Sequence, residues 1–109
     1  QKLAAGDDMP DAIFAANILI GRGIYDAVAE TDLYIPDDIG ITAFGYDEYS
    51  ALLQPALSMV NVDPADLGRR AMRLIAQEIE SHNSPAGAKV LAPFKIELKD
   101  SLKTNKQKY

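Results

Sequence analysis

The sequence contains no cysteine, no tryptophan and a single histidine among its 109 residues. The missing thiols exclude disulfide scaffolds, thiolate-bound zinc, iron–sulfur clusters and thiol catalysis. The lone His82 closes a polar-faced helical stretch, so a nucleophile–base pair or a metal cluster lacks its usual member. No apolar run approaches the roughly 18 residues of a membrane span, and no cleavable signal is visible. Neither a metal nor a cofactor is expected, nor a membrane partner, and the default location is cytoplasmic. Gly21-Arg22-Gly23 lacks the third glycine of a dinucleotide fingerprint and sits inside a helical pattern rather than after a strand. Without a phosphate loop or a nucleophile–base pair, an enzyme is disfavoured.

What is present is an ordinary globular composition, 48% hydrophobic and 25% charged. Basic charge is scarce in one half. Residues 1–68 carry two basic side chains against twelve acidic, a net of −10, while residues 69–109 carry nine against four, a net of +5. An acidic first half is a poor partner for nucleic acid, whose binding rests on neutralising phosphates. Arg69, Arg70 and Arg73 on a helix face, and the Lys-rich end of the chain, read as solvated surface.

Strand-like and helix-like segments alternate. Residues 12–16 are apolar without alternation, which suits a strand covered on both faces of a parallel sheet. Asn17 is a good N-cap for a helix from Ile18 to about Glu30, with Ile20, Ile24, Ala27 and Val28 on one stripe. A second buried strand spans Ile39 to Phe44, and a third, Leu57 to Val62, follows a loop bearing Tyr46, Asp47, Glu48 and Tyr49. Asp63-Pro64 opens a second helix reaching about His82, with Leu67, Ala71, Leu74, Ile75 and Ile79 as its apolar face. Residues 90–98, interrupted by Pro93, make an edge or irregular strand. Residues 101–109 read as a frayed polar tail.

Ligands of open α/β sheets bind beyond the carboxyl ends of the strands. Asn17 and Asp47 fall at two such ends, on neighbouring parallel strands. An amide and a carboxylate converging there suit a polyhydroxylated ligand, the Asp accepting in charge-assisted bonds. The plainer alternatives are that Asn17 only caps its helix and Asp47 only shapes a turn. Phe14 and Phe44 read as core, whereas Tyr46 and Tyr49 read as pocket wall or partner surface.

Four segments in order resemble one known family. Residues 10–17, Pro-Asp-Ala-Ile-Phe-Ala-Ala-Asn, are similar to the "PDAIFAAND" stretch of lactose-repressor-type (LacI/GalR) transcription regulators. Residues 35–47 resemble their "VPEDISVVGFDD" stretch, residues 55–60 their "PPLTTV", and residues 66–71 their "ELGRRA". The likeness runs over roughly residues 9–101. It implies a parallel-sheet, periplasmic-binding-protein-like (type I) α/β domain, in which two lobes close on a small effector such as a sugar. The resemblance carries effector contacts onto Asn17 and Asp47, with Tyr46 beside them. It also implies a homodimer whose surface includes Ile24, Tyr25, Tyr49, Leu52 and Leu53, the last two expected to be exposed. Two departures leave the effector open: the Asp that usually follows the Asn is Ile18 here, and a family Gln is replaced by Val62.

The same likeness makes the chain a C-terminal portion of such a domain, with residues 9–62 mostly from one lobe, 63–101 crossing to the other and 102–109 a disordered tail. DNA would be bound only through a helix-turn-helix head outside this sequence. A transport-type sugar-binding protein of the same fold is the alternative. A chain holding parts of two lobes exposes apolar faces, so self-association as a dimer or by exchange of elements is expected. Sedimentation checks this: a concentration-independent monomer that melts in one cooperative step would overturn it.

Overall fold

The computed structural model describes residues 8–46, 48–81, 87 and 89–104. Within them, in chain order, lie β1 (Ala12–Ala15), α1 (Ile18–Ala29), β2 (Gly40–Gly45), β3 (Ser58–Val62), α2 (Pro64–Ser81) and β4 (Phe94–Glu97). The four strands form one sheet in the order β1-β2-β3-β4. The first three are parallel, and β4 runs antiparallel along β3 as an edge.

Register explains the core. Ile13 lies opposite Ile41, Ala15 opposite Ala43, and Ala43 opposite Met59. Alternation puts these side chains on one face. Ala15, Ile41, Ala43, Leu57 and Met59 are buried there with Tyr25 and Leu53, and Ile18, Ile24, Val28 and Ile35 pack against them. The small residues let α1 approach closely. A Cβ at Gly21 would stand 3.4 Å from Leu57 and 3.6 Å from the Cβ of Ala43. Gly21 therefore serves helix–sheet packing. At the other end of β2, Gly45 holds φ of +147°, a value that favours glycine, as the chain leaves the sheet.

The opposite face corrects one expectation. Phe14 and Phe44, read as core of strands covered on both sides, are 58% and 41% exposed. A period-two strand aims them away from α1, and on that side the segment after β4 brings Leu102 against Gly40. It covers the amino-terminal end of the sheet, where a Cβ on Gly40 would come within 2.9 Å of Leu102. Near the carboxyl ends, Phe44, Val60, Val62, Leu67, Ala92 and Phe94 line an open apolar hollow of about 360 Å³.

A second correction concerns the chain's end. Ser101, expected to fray, is fully buried. Its amide donates to Ala56 O and its carbonyl accepts from Ile41 N, each at 3.0 Å. Its hydroxyl accepts from Ser58 N at 2.7 Å and donates to Ile41 O. Lys103 Nζ reaches Asp37 O at 2.8 Å. Residues 105–109 of the expected tail lie outside the described residues.

Helix α2 begins as its sequence predicts. Asp63 Oδ1 accepts from the amides of Ala65 and Asp66, at 2.9 and 3.2 Å. Asp66 in turn accepts from Arg70 at 2.7 Å, and this hydrogen bond lowers its pKa. The helix buries none of its residues, and Leu67, Ile75 and Ile79 are half or more exposed.

Removing the Ser101 hydroxyl orphans one buried donor and one buried acceptor. Ser101→Ala should therefore cost about 2–4 kcal/mol of stability, read by urea denaturation, and a loss below about 1 kcal/mol would overturn this role.

Candidate functional site

Because β1, β2 and β3 are parallel neighbours, their carboxyl ends share one rim. Asn17 lies two residues beyond β1, and Tyr46 directly follows β2. Both are exposed. Asn17 and Tyr46 therefore stand on that rim. Asp47, the carboxylate of the expected site, lies outside the described residues.

Asn17 is extended (φ −155°, ψ 172°) and its Oδ1 accepts from Ile20 N at 2.9 Å. It caps α1 by this bond. With Oδ1 engaged, what the side chain chiefly offers a ligand is its amide N–H pair. Tyr46 is half exposed and adds an aromatic face with a hydroxyl at its tip.

The third strand end contributes a residue that sequence reading passed over. Asn61 sits opposite Gly45 on one side and Lys95 on the other. Its Oδ1 is buried and has no hydrogen-bond partner among the described residues. The signal was available, since Asn61 stands at the end of a parallel strand just as Asn17 does. It was hidden by lying inside the strand rather than after it.

Beside the rim, the start of α1 and a 3-10 turn at Ser50–Leu52 enclose an apolar groove of about 220 Å³. Ile18, Leu19, Arg22, Tyr49, Leu52 and Leu53 line it. Of the residues expected at a dimer surface, Tyr49 and Leu52 are exposed, at 58% and 75%. Leu53 is buried, contrary to expectation, because its side chain joins the core cluster beneath the turn. Tyr25 is also interior, and its hydroxyl donates to Pro55 O at 2.8 Å. Burial pushes its pKa up, partly offset by Ser101. Ile24 is half-buried against the same core. Leu19, 80% exposed, belongs to this surface and was not foreseen.

The described residues hold no group of three potential metal ligands and no helix long and apolar enough to cross a membrane. An amide, an aromatic hydroxyl and a buried acceptor on one rim can orient a small polar molecule by hydrogen bonds. Nothing among them forms a nucleophile–base pair.

Comparison with known proteins gives this arrangement a context. The model of the periplasmic binding protein-like domain matches residues 1–102. The lactose operon repressor of Rhizobium radiobacter is 32% identical over 83 residues, covering 76% of this chain and 74% of that protein. The ribose operon repressor of Haemophilus influenzae is 31% identical over 93 residues, 85% of this chain. The chain spans only 28% of that relative's length. A crystal structure described as a transcriptional regulator LacI from Bacillus cereus subsp. cytotoxis superposes with a TM-score of 0.82 at 27% identity. That match covers 95% of this chain and 36% of the other.

The two roles open to Asn17 separate by substitution. Asn17→Ala should lower stability by about 1 kcal/mol in thermal melts without ligand, whereas Asn17→Asp retains the capping oxygen and should melt within a few degrees of the parent. Equal stability of all three chains would show that the cap contributes nothing.

Proposed function

The chain belongs to the periplasmic-binding-protein-like domains of LacI-type transcriptional regulators, and we propose that it senses a small sugar-like effector at the rim of Asn17, Tyr46 and Asp47. Relatives are named as an operon repressor, a catabolite control protein and a transcriptional regulator, which supports a regulator rather than an enzyme. The observation that carries the effector reading is the alignment of three parallel strand ends, which gathers polar side chains where α/β sheets bind ligands. Asp47 follows Tyr46 in the motif that resembles the family's effector-contacting carboxylate. An ionised Asp accepts from two hydroxyls, while Asn17 donates and Tyr46 packs on an apolar sugar face. Two relatives are named as repressors of the lactose and ribose operons, which is in keeping with a sugar-like effector.

In this reading residues 9–62 lie mostly in one lobe and 63–101 cross to the other. Effector binding then changes how a homodimer presents helix-turn-helix heads to DNA in the cytoplasm. The groove of Tyr49, Leu52 and Leu19 is its candidate self-contact, being apolar and beside the rim.

The test uses the intact regulator. Asp47→Ala should abolish induction of a reporter by sugar, a loss of tenfold or more in apparent affinity corresponding to about 1.4 kcal/mol, while repression without sugar is kept. Unchanged induction would remove Asp47 from the site.

A further inference from the structure

The connection between β2 and β3 carries the rim residue Tyr46 at one end and the groove residues Tyr49, Leu52 and Leu53 in its middle. Among its described residues it contains no α-helix, only the 3-10 turn. Besides the bond from Leu52 N to Tyr49 O, two of its internal backbone bonds converge on one residue: Ser50 O accepts from Leu53 N at 3.4 Å and from Leu57 N at 3.1 Å. Ser50 is fully buried, unusual for a serine in a surface connection.

The Ser50 hydroxyl is held from far along the chain. Lys99 Nζ donates to Ser50 Oγ at 2.6 Å, a short charge-assisted bond. The Lys99 side chain is 23% exposed, and Glu97 Oε2 stands 4.0 Å from its ammonium. A cation so far withdrawn from water needs such partners. Its backbone cannot swing either. Lys99 N donates to Ser58 Oγ at 2.8 Å, and the same hydroxyl donates to Lys99 O at 3.2 Å. A pinned pivot and a charged tip thus join Ser50 to a segment 49 residues later, with the whole of β3, α2 and β4 between them.

We infer that Lys99 is a positioning residue, which sets the β2–β3 connection from the end of β4 and so places Tyr46 on the rim and Tyr49 and Leu52 at the groove. The connection then follows β4, so a displacement of β4 moves rim and groove together. The effector part of this statement rests on the sugar-sensing reading above, whereas the loop-positioning part does not.

Amide hydrogen exchange on the whole chain tests it, with Lys99→Met to remove the charge but keep most of the stem. Exchange at Leu53 and Leu57 should accelerate by about tenfold, while Ile41 and Ala43 in β2 stay at the parent rate. Ser50→Ala should reproduce the pattern, and Lys99→Arg should restore most of the protection. Uniform acceleration across sheet and loop would overturn the inference by showing a general stabilising role, and so would no change at all. In parallel, calorimetric titration with lactose, D-ribose and D-galactose reads the rim. Where the parent binds one of them, Lys99→Met should weaken it several-fold with a melting temperature close to the parent's, and unaltered affinity would overturn the link to the rim. Binding of none by the parent, with the loop-local exchange pattern present, would overturn the link to the rim and count against the sugar reading, while the loop-positioning part is upheld.

Discussion

One buried serine holds the sheet to everything behind it. Ser101 uses its amide, its carbonyl and both roles of its hydroxyl, and its four partners are backbone groups of Ile41, Ala56 and Ser58. Those groups lie on β2, on β3 and at the end of the connection between them. Inside a low-dielectric core each bond is strong in itself and costly to lose. The hydroxyl is the smallest side chain that can accept from one strand and donate to its neighbour. Leu102 is consequently brought against Gly40, and Lys99 is delivered to within reach of Ser50.

The two ends of the sheet have opposite characters as a result. At the amino ends, Gly40 meets Leu102, and Lys103 reaches the carbonyl of Asp37. At the carboxyl ends the backbone departs through Asn17 and through Gly45, leaving polar side chains facing outward. The structural load is carried at the first end, and the second is left to recognition, the usual division in parallel α/β sheets.

Much of this was legible in the residues. Asn17 and Asp63-Pro64 announced both helix starts, because capping chemistry is local and a few residues decide it. The three parallel strands could be located from runs of Ile, Val and Ala, although their ends shifted by a residue or so. What could not be read depends on contacts distant in sequence. Ser101 sits among polar neighbours and looks like a tail until Ile41 and Ser58 are brought to it. Phe14 and Phe44 looked like core because a hydrophobic run records an average environment, not which face another element covers. Leu53 and Leu52 are adjacent and chemically identical, yet the turn at Ser50 sends one inward and the other out. The carboxylate on which the site reading leans most, Asp47, was read from its place after the second strand and from the family motif.

Helix α2 carries its own consequence. None of its 18 residues is buried and only Leu67 meets the sheet at the apolar hollow, so the free energy that forms it comes mainly from its Asp63 cap, the Asp66–Arg70 pair and the backbone ladder. Isolated helices of that length are marginal in water. The cooperative unit of the chain is thus smaller than the chain, and the sheet can remain intact while the helix opens and closes as a separate equilibrium. Anything that docks on the Leu67, Ile75 and Ile79 stripe therefore recruits the helix by mass action, converting a local fluctuation into a stable element.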